Sequence, residues 1–83
     1  MKTGTLPYQA KEHEEIHSFT NEYGERWAVV FNNKSGKGVL LGDEVGWDLK
    51  EGLRLDNLPK GFILSGEEME WLLSCLDRFA KGA

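Results

Sequence analysis

The chain has 83 residues, a formal charge of −4, 11% aromatic side chains and one cysteine, Cys75. A domain this short buries only about 60% of the surface its unfolded chain exposes, which leaves little core from which to carve a deep catalytic cleft. A single cysteine excludes an internal disulfide, so the disulfide-stapled class of small secreted domains is set aside.

Residues 1–12 read as a flexible N-terminal arm, at most a short helix over Tyr8–Glu12, and residues 13–83 as a single α+β domain. The arm has no apolar core of the signal-peptide type. No apolar run approaches the roughly 20 residues needed to cross a bilayer. A cytoplasmic location and no membrane partner are expected.

From Ile16 the pattern has period two. His17, Phe19 and Tyr23 share one face; Ser18, Thr20 and Glu22 share the other. Glu22–Glu25 reads as a turn. In the run from Arg26 to Phe31, Trp27, Val29 and Phe31 share a face opposite Arg26, Ala28 and Val30. Such alternation, dense in β-branched and aromatic residues, is a strand pattern. Asn32–Gly38 carries the Asn and Gly residues that tolerate the positive φ of tight hairpins. A third strand follows with Val39, Leu41, Val45 and Trp47 on one side, bent at Gly42 and Gly46.

Leu49, Leu53, Leu55 and Leu58 fit an ordered loop tucked under the sheet, with an edge strand at Leu53–Leu55. Phe62–Leu64 reads as a short last strand. Ser65 and Glu68 have capping-box spacing. Met69, Leu72, Leu73, Leu76, Phe79 and Ala80 then form an apolar helical stripe, ended by Lys81 and Gly82. The expected fold is an antiparallel meander of three to four strands with one C-terminal helix packed on it.

Several strings point to chemistry. His13-Glu14-Glu15-Ile16-His17 matches the H-E-x-x-H zinc-protease pattern, which requires a helix and a third ligand. The chain has no further histidine, and a strand pattern begins within the motif, so no metal site is assigned. Ser35-Gly36-Lys37-Gly38 lacks the spacing of a nucleotide loop, and no cofactor is expected. Its hairpin places Lys34 and Lys37 together, with Arg26 on the preceding strand, as the one basic patch. Residues 42–83 hold nine acidic and five basic side chains and carry the whole charge excess. Asp43, Glu44, Asp48, Glu51 and Asp56 are read as a solvated face, or else as a contact for a basic partner.

Trp71 lies off the helical stripe with Cys75 one turn on, and the pair is the candidate interface. The competing expectation is that the 48–60 loop covers Trp71. No signature joins Cys75 to either histidine, so it is not read as a nucleophile.

Lys60-Gly61-Phe62-Ile63-Leu64-Ser65-Gly66-Glu67-Glu68, with Met69-Glu70-Trp71-Leu72, resembles the end of the transcriptional positive cofactor four family, over the last quarter of the chain. The resemblance implies dimers that bind single-stranded DNA, with Trp71 near a dimer contact. It further implies Arg26, Lys34 and Lys37 at phosphates and Trp27 or Trp47 at bases.

The functional expectation is a small non-enzymatic binding module acting through protein contacts, as a dimer or with a partner chain. A single-stranded nucleic-acid-binding protein is the alternative. A zinc-dependent hydrolase using His13, Glu14 and His17 is the third reading.

Overall fold

The computed structural model describes residues 7–62, 64 and 66–82, and the side chains of residues 7–62, 64 and 66–78. Its elements are β1 (Glu14–Thr20), β2 (Arg26–Asn32), β3 (Lys37–Gly42), β4 (Leu53–Arg54) and α1 (Gly66–Gly82). The four strands form one antiparallel sheet in the order β1-β2-β3-β4, with α1 against β1 and β2. This is the α+β meander expected.

Alternation assigns the two sheet faces. Phe19, Trp27 and Gly42 stand opposite one another across β1, β2 and β3, as do His17, Val29, Leu40 and Leu53 across all four strands. Trp27, Val29 and Leu40 join Leu64, Leu72 and Cys75 in the core under the helix. Gly42 leaves the gap that the Trp27 indole fills, since a Cβ there would lie 2.5 Å from Trp27 Cε3. Ala28, Val30 and Leu41 face the other way, yet they too are buried. On this face Gly52 lies close against β3; a Cβ there would lie 2.4 Å from Val39 Cγ1 and 2.6 Å from Leu41 Cδ2.

Of the four loop leucines, Leu53, Leu55 and Leu58 pack against the core as expected, whereas Leu49 is half-buried outside that cluster. Other expectations are corrected. β1 begins at Glu14, earlier than Ile16, and Tyr23 does not extend its face but stands 81% exposed in the turn. β3 stops at Gly42, where Gly42 and Gly46 exchange backbone hydrogen bonds (3.1 and 2.7 Å) and close a loop. Val45 therefore joins the helix-side core rather than the face of Val39 and Leu41. Phe62 and Leu64 lie outside the strands, and the fourth strand is Leu53–Arg54 instead. Tyr8–Glu12 contains no helix.

The helix is rotated relative to the expected stripe. Glu68, Leu72 and Cys75 are buried and Trp71 is half-buried, whereas Leu73 is 56% exposed. At 100° per residue the buried face is turned by roughly 60° towards Trp71. Phe19 causes the turn, since its ring stacks on Trp71 with centroids 5.6 Å apart. The helix also includes Gly82. Ile63 and Ser65, and the side chains of Phe79, Ala80 and Lys81, lie outside the described residues.

Candidate interaction surface at the sheet edge

β1 is the outer strand on one side of the sheet, and the flanking hydrogen bonds show which of its groups face outwards. The Asn33 N–H donates to the His13 carbonyl (2.7 Å) and the Asn21 N–H to the Glu25 carbonyl (3.0 Å), both in the register of the β1–β2 ladder. Hydrogen-bonded pairs recur at every second residue of an antiparallel ladder. Odd-numbered residues of β1 thus bond to β2. The N–H and C=O groups of Glu14, Ile16, Ser18 and Thr20 project from the open edge. The Glu14 N–H is taken by the Lys11 carbonyl at 3.0 Å. Those of Ile16, Ser18 and Thr20 have no backbone partner among the described residues.

On the opposite side the outer groups of β3 are occupied, and the outermost strand, β4, is only two residues long. Leu55 N–H donates to the Gly38 carbonyl, Leu40 pairs with Leu53, and Gly42 with Gly46, which occupies the outer positions of β3. β1 is the long strand with an edge to offer. It contains no proline or bulge, and its blunting charges are confined to Glu14 and Glu15 at its first two positions.

The candidate interface residues separate. Trp71 is half-buried and stacks on Phe19 of the edge strand. Cys75 is 4% exposed inside the core, so it is no surface contact, and burial pushes its thiol pKa up.

The candidate nucleic-acid residues also separate. Trp27 is 4% exposed, edge-on to Phe62, and its Nε1–H donates to the buried Glu68 carboxylate, so its ring is not available to a base. Arg26 is engaged: its guanidinium donates to Asp43 at 2.7 and 3.3 Å and lies 5.4 Å from the Trp47 ring centre. Trp47 in turn donates from Nε1 to Asp43 at 3.1 Å. Lys34 and Lys37 sit at the exposed hairpin tip beyond Asn32. Six residue steps along β2 put Arg26 about 20 Å from that tip, so the three cations form no single patch.

The Arg26 side chain and backbone N–H hold the Asp43 carboxyl well below the usual carboxylate range. A carboxyl depressed by folding contributes stability above its unfolded pKa near about 4, and loses it as pH falls through the lower folded value. Thermal melts should therefore show wild-type Tm falling below about pH 4 more steeply than that of Asp43→Asn. Equal slopes would show that the pair does not contribute.

His13 and Glu14–His17 do not form the helix that the zinc motif requires. His13 sits in a turn with φ 73°, Glu14–His17 lie in β1, and His17 Nε2 is 3.3 Å from Glu15 Oε1. Glu14 instead accepts the Tyr8 hydroxyl (2.8 Å) and the Lys11 N–H (2.9 Å), tying residues 8–11 to the start of β1. Burial first, and then Glu14, push the Tyr8 hydroxyl pKa up to about 12.

Two features escaped the sequence reading. Glu68, 6% exposed, accepts from both Trp27 and Asn21 (3.0 Å), and Asn21 also donates to Glu25 at 2.7 Å. This network lies beside a cavity of about 320 Å3 lined by Trp27, Glu44, Val45, Phe62 and neighbours. Its one sequence signal was the first-turn position of Glu68, which the capping box accounted for. The open edge had no sequence signal, because strand order is set across the whole chain.

No family model matches the chain, and no curated protein or solved structure matches it.

Proposed function

We propose that this chain is a non-enzymatic binding module that acts through protein contacts, taking an extended polypeptide strand on the outer edge of β1. The observation that carries the reading is the row of backbone groups at Ile16, Ser18 and Thr20 that have no backbone partner among the described residues. Backbone hydrogen bonds along such an edge supply affinity, and side chains on alternate faces supply selectivity. The Trp71–Phe19 stack gives the edge an apolar border on the helix side, and Ser18 and Thr20 are exposed on the other.

The test exploits the alternation. Ser18→Pro removes an outward donor and puts a ring where an incoming strand must lie, while the bonds to β2 belong to odd residues. Proline is tolerated on a strand edge when its missing N–H faced solvent. Linear peptides selected from a random display library should bind the wild type and lose at least about tenfold in affinity on Ser18→Pro, with Tm little changed. A library yielding no peptide sensitive to Ser18→Pro would remove the reading.

A further inference from the structure

We infer that the strand received by β1 is β1 of a second copy of the chain, antiparallel and centred on His17, so that two sheets join into one of eight strands. This rests on the strand-addition reading above and names its partner.

Parity restricts the registers. Outward groups belong to even residues, so hydrogen-bonded pairs between two copies must join even residues to even residues. Centring on His17 pairs Ile16 with Ser18 of the second copy in both directions, and sets Glu14 opposite Thr20, where only the Glu14 carbonyl can bond because its N–H is held by Lys11. All seven residues of β1 then face a residue of the second β1. Glu15 faces Phe19 of the second copy and Glu14 faces Thr20, so no two carboxylates stand opposed. Sliding one way, to pair Ser18 with itself, sets Glu14 against Glu22 and spends the strand end on the turn. Sliding the other way, to pair Ile16 with itself, runs Thr20 against Glu12, beyond the left-handed turn at His13. The His17-centred register alone uses the full strand and avoids like charges, which are unfavourable when directly opposite.

The faces agree as well. Odd residues point towards α1 in each copy, so both helices come to the same side of the joined sheet. The Phe19–Trp71 stacks then border the seam on the helix side, and the exposed Ser18 and Thr20 side chains line the other. The two His17 residues meet across the two-fold axis as a non-hydrogen-bonded pair, with Cα atoms about 4.5 Å apart.

The experiment is sedimentation equilibrium of the full chain over a wide concentration range, with Ser18→Pro alongside, and cysteine cross-linking. The wild type should form a dimer, and Ser18→Pro should raise the dimer dissociation constant at least about a hundredfold with Tm near that of wild type. His17→Cys should form an intermolecular disulfide under mild oxidation, since that spacing suits an S–S bridge. Cys75, being buried, does not compete. Thr20→Cys should not cross-link, because the two Thr20 positions lie about 20 Å apart in this register. A dimer untouched by Ser18→Pro, or one linked through Thr20→Cys and not His17→Cys, would overturn the proposal. A chain that stays monomeric while display peptides still bind the edge overturns self-pairing alone. Monomer and no peptide together overturn both.

Discussion

Replacing Trp27 with alanine should cost about 3–5 kcal/mol, the range for deleting a large aromatic from a packed core. Domains of this length are stable by only about 0.05–0.15 kcal/mol per residue, so this is a large share of the total. The expected fall in Tm is at least about 12 °C. Trp27 is central for three reasons: it fills the space left by Gly42, meets Phe62 edge-on at a centroid distance of 6.1 Å, and donates to Glu68. Trp27→Phe keeps most of the contact area and removes the N–H, so it should cost clearly less than the alanine. Urea unfolding followed by far-ultraviolet circular dichroism would check both. Equal stability of wild type and Trp27→Ala would mean that the indole is not in the core.

Removing the Glu68 side chain should be the next most costly change. Glu68→Ala leaves the buried Trp27 N–H and one Asn21 amide bond without their acceptor. At about 1–3 kcal/mol for each unsatisfied buried group, a loss of roughly 2–4 kcal/mol is expected. The change also removes an acidic side chain from the first helical turn, where the helix dipole favours it. Glu68→Gln retains an acceptor oxygen and should cost about half as much or less. A double-mutant cycle with Trp27→Phe isolates the direct term, and a coupling of at least about 0.5 kcal/mol is expected. A coupling indistinguishable from zero would show that the two groups do not act on each other. Among the described residues every buried side-chain nitrogen and oxygen has a hydrogen-bond partner, which is why losing one acceptor costs so much.

The strands were legible where alternation is dense: Trp27, Val29 and Phe31 share one face as read, and the turn joining β2 to β3 falls within Asn32–Gly38, at residues 33–36. The tucked leucines were legible because nothing else in residues 48–60 is apolar enough to need cover. The helix face was not. Leu73 and Trp71 are both apolar, and a helical wheel cannot know that Phe19, some fifty residues earlier, will stack on one and leave the other exposed. Glu68 was hidden because an acidic residue in a first turn already has a local explanation. The basic patch dissolved for a geometric reason: Arg26 and the lysine tip share a hairpin in sequence, but they stand at opposite ends of an extended strand. The edge itself depends on Leu53–Arg54 closing β3 while β1 is left outermost, a choice no local window contains.

Amide hydrogen exchange along β1, followed residue by residue in dilute and in concentrated solution, tests the edge most directly. In dilute solution His17 and Phe19 should be protected and Ile16, Ser18 and Thr20 should exchange freely. As concentration rises, protection should spread to the even-numbered amides while α1 stays unchanged. If Ile16, Ser18 and Thr20 are already protected in dilute solution, or still exchange freely both in concentrated solution and with selected peptide bound, β1 is not the edge on which this chain receives another strand.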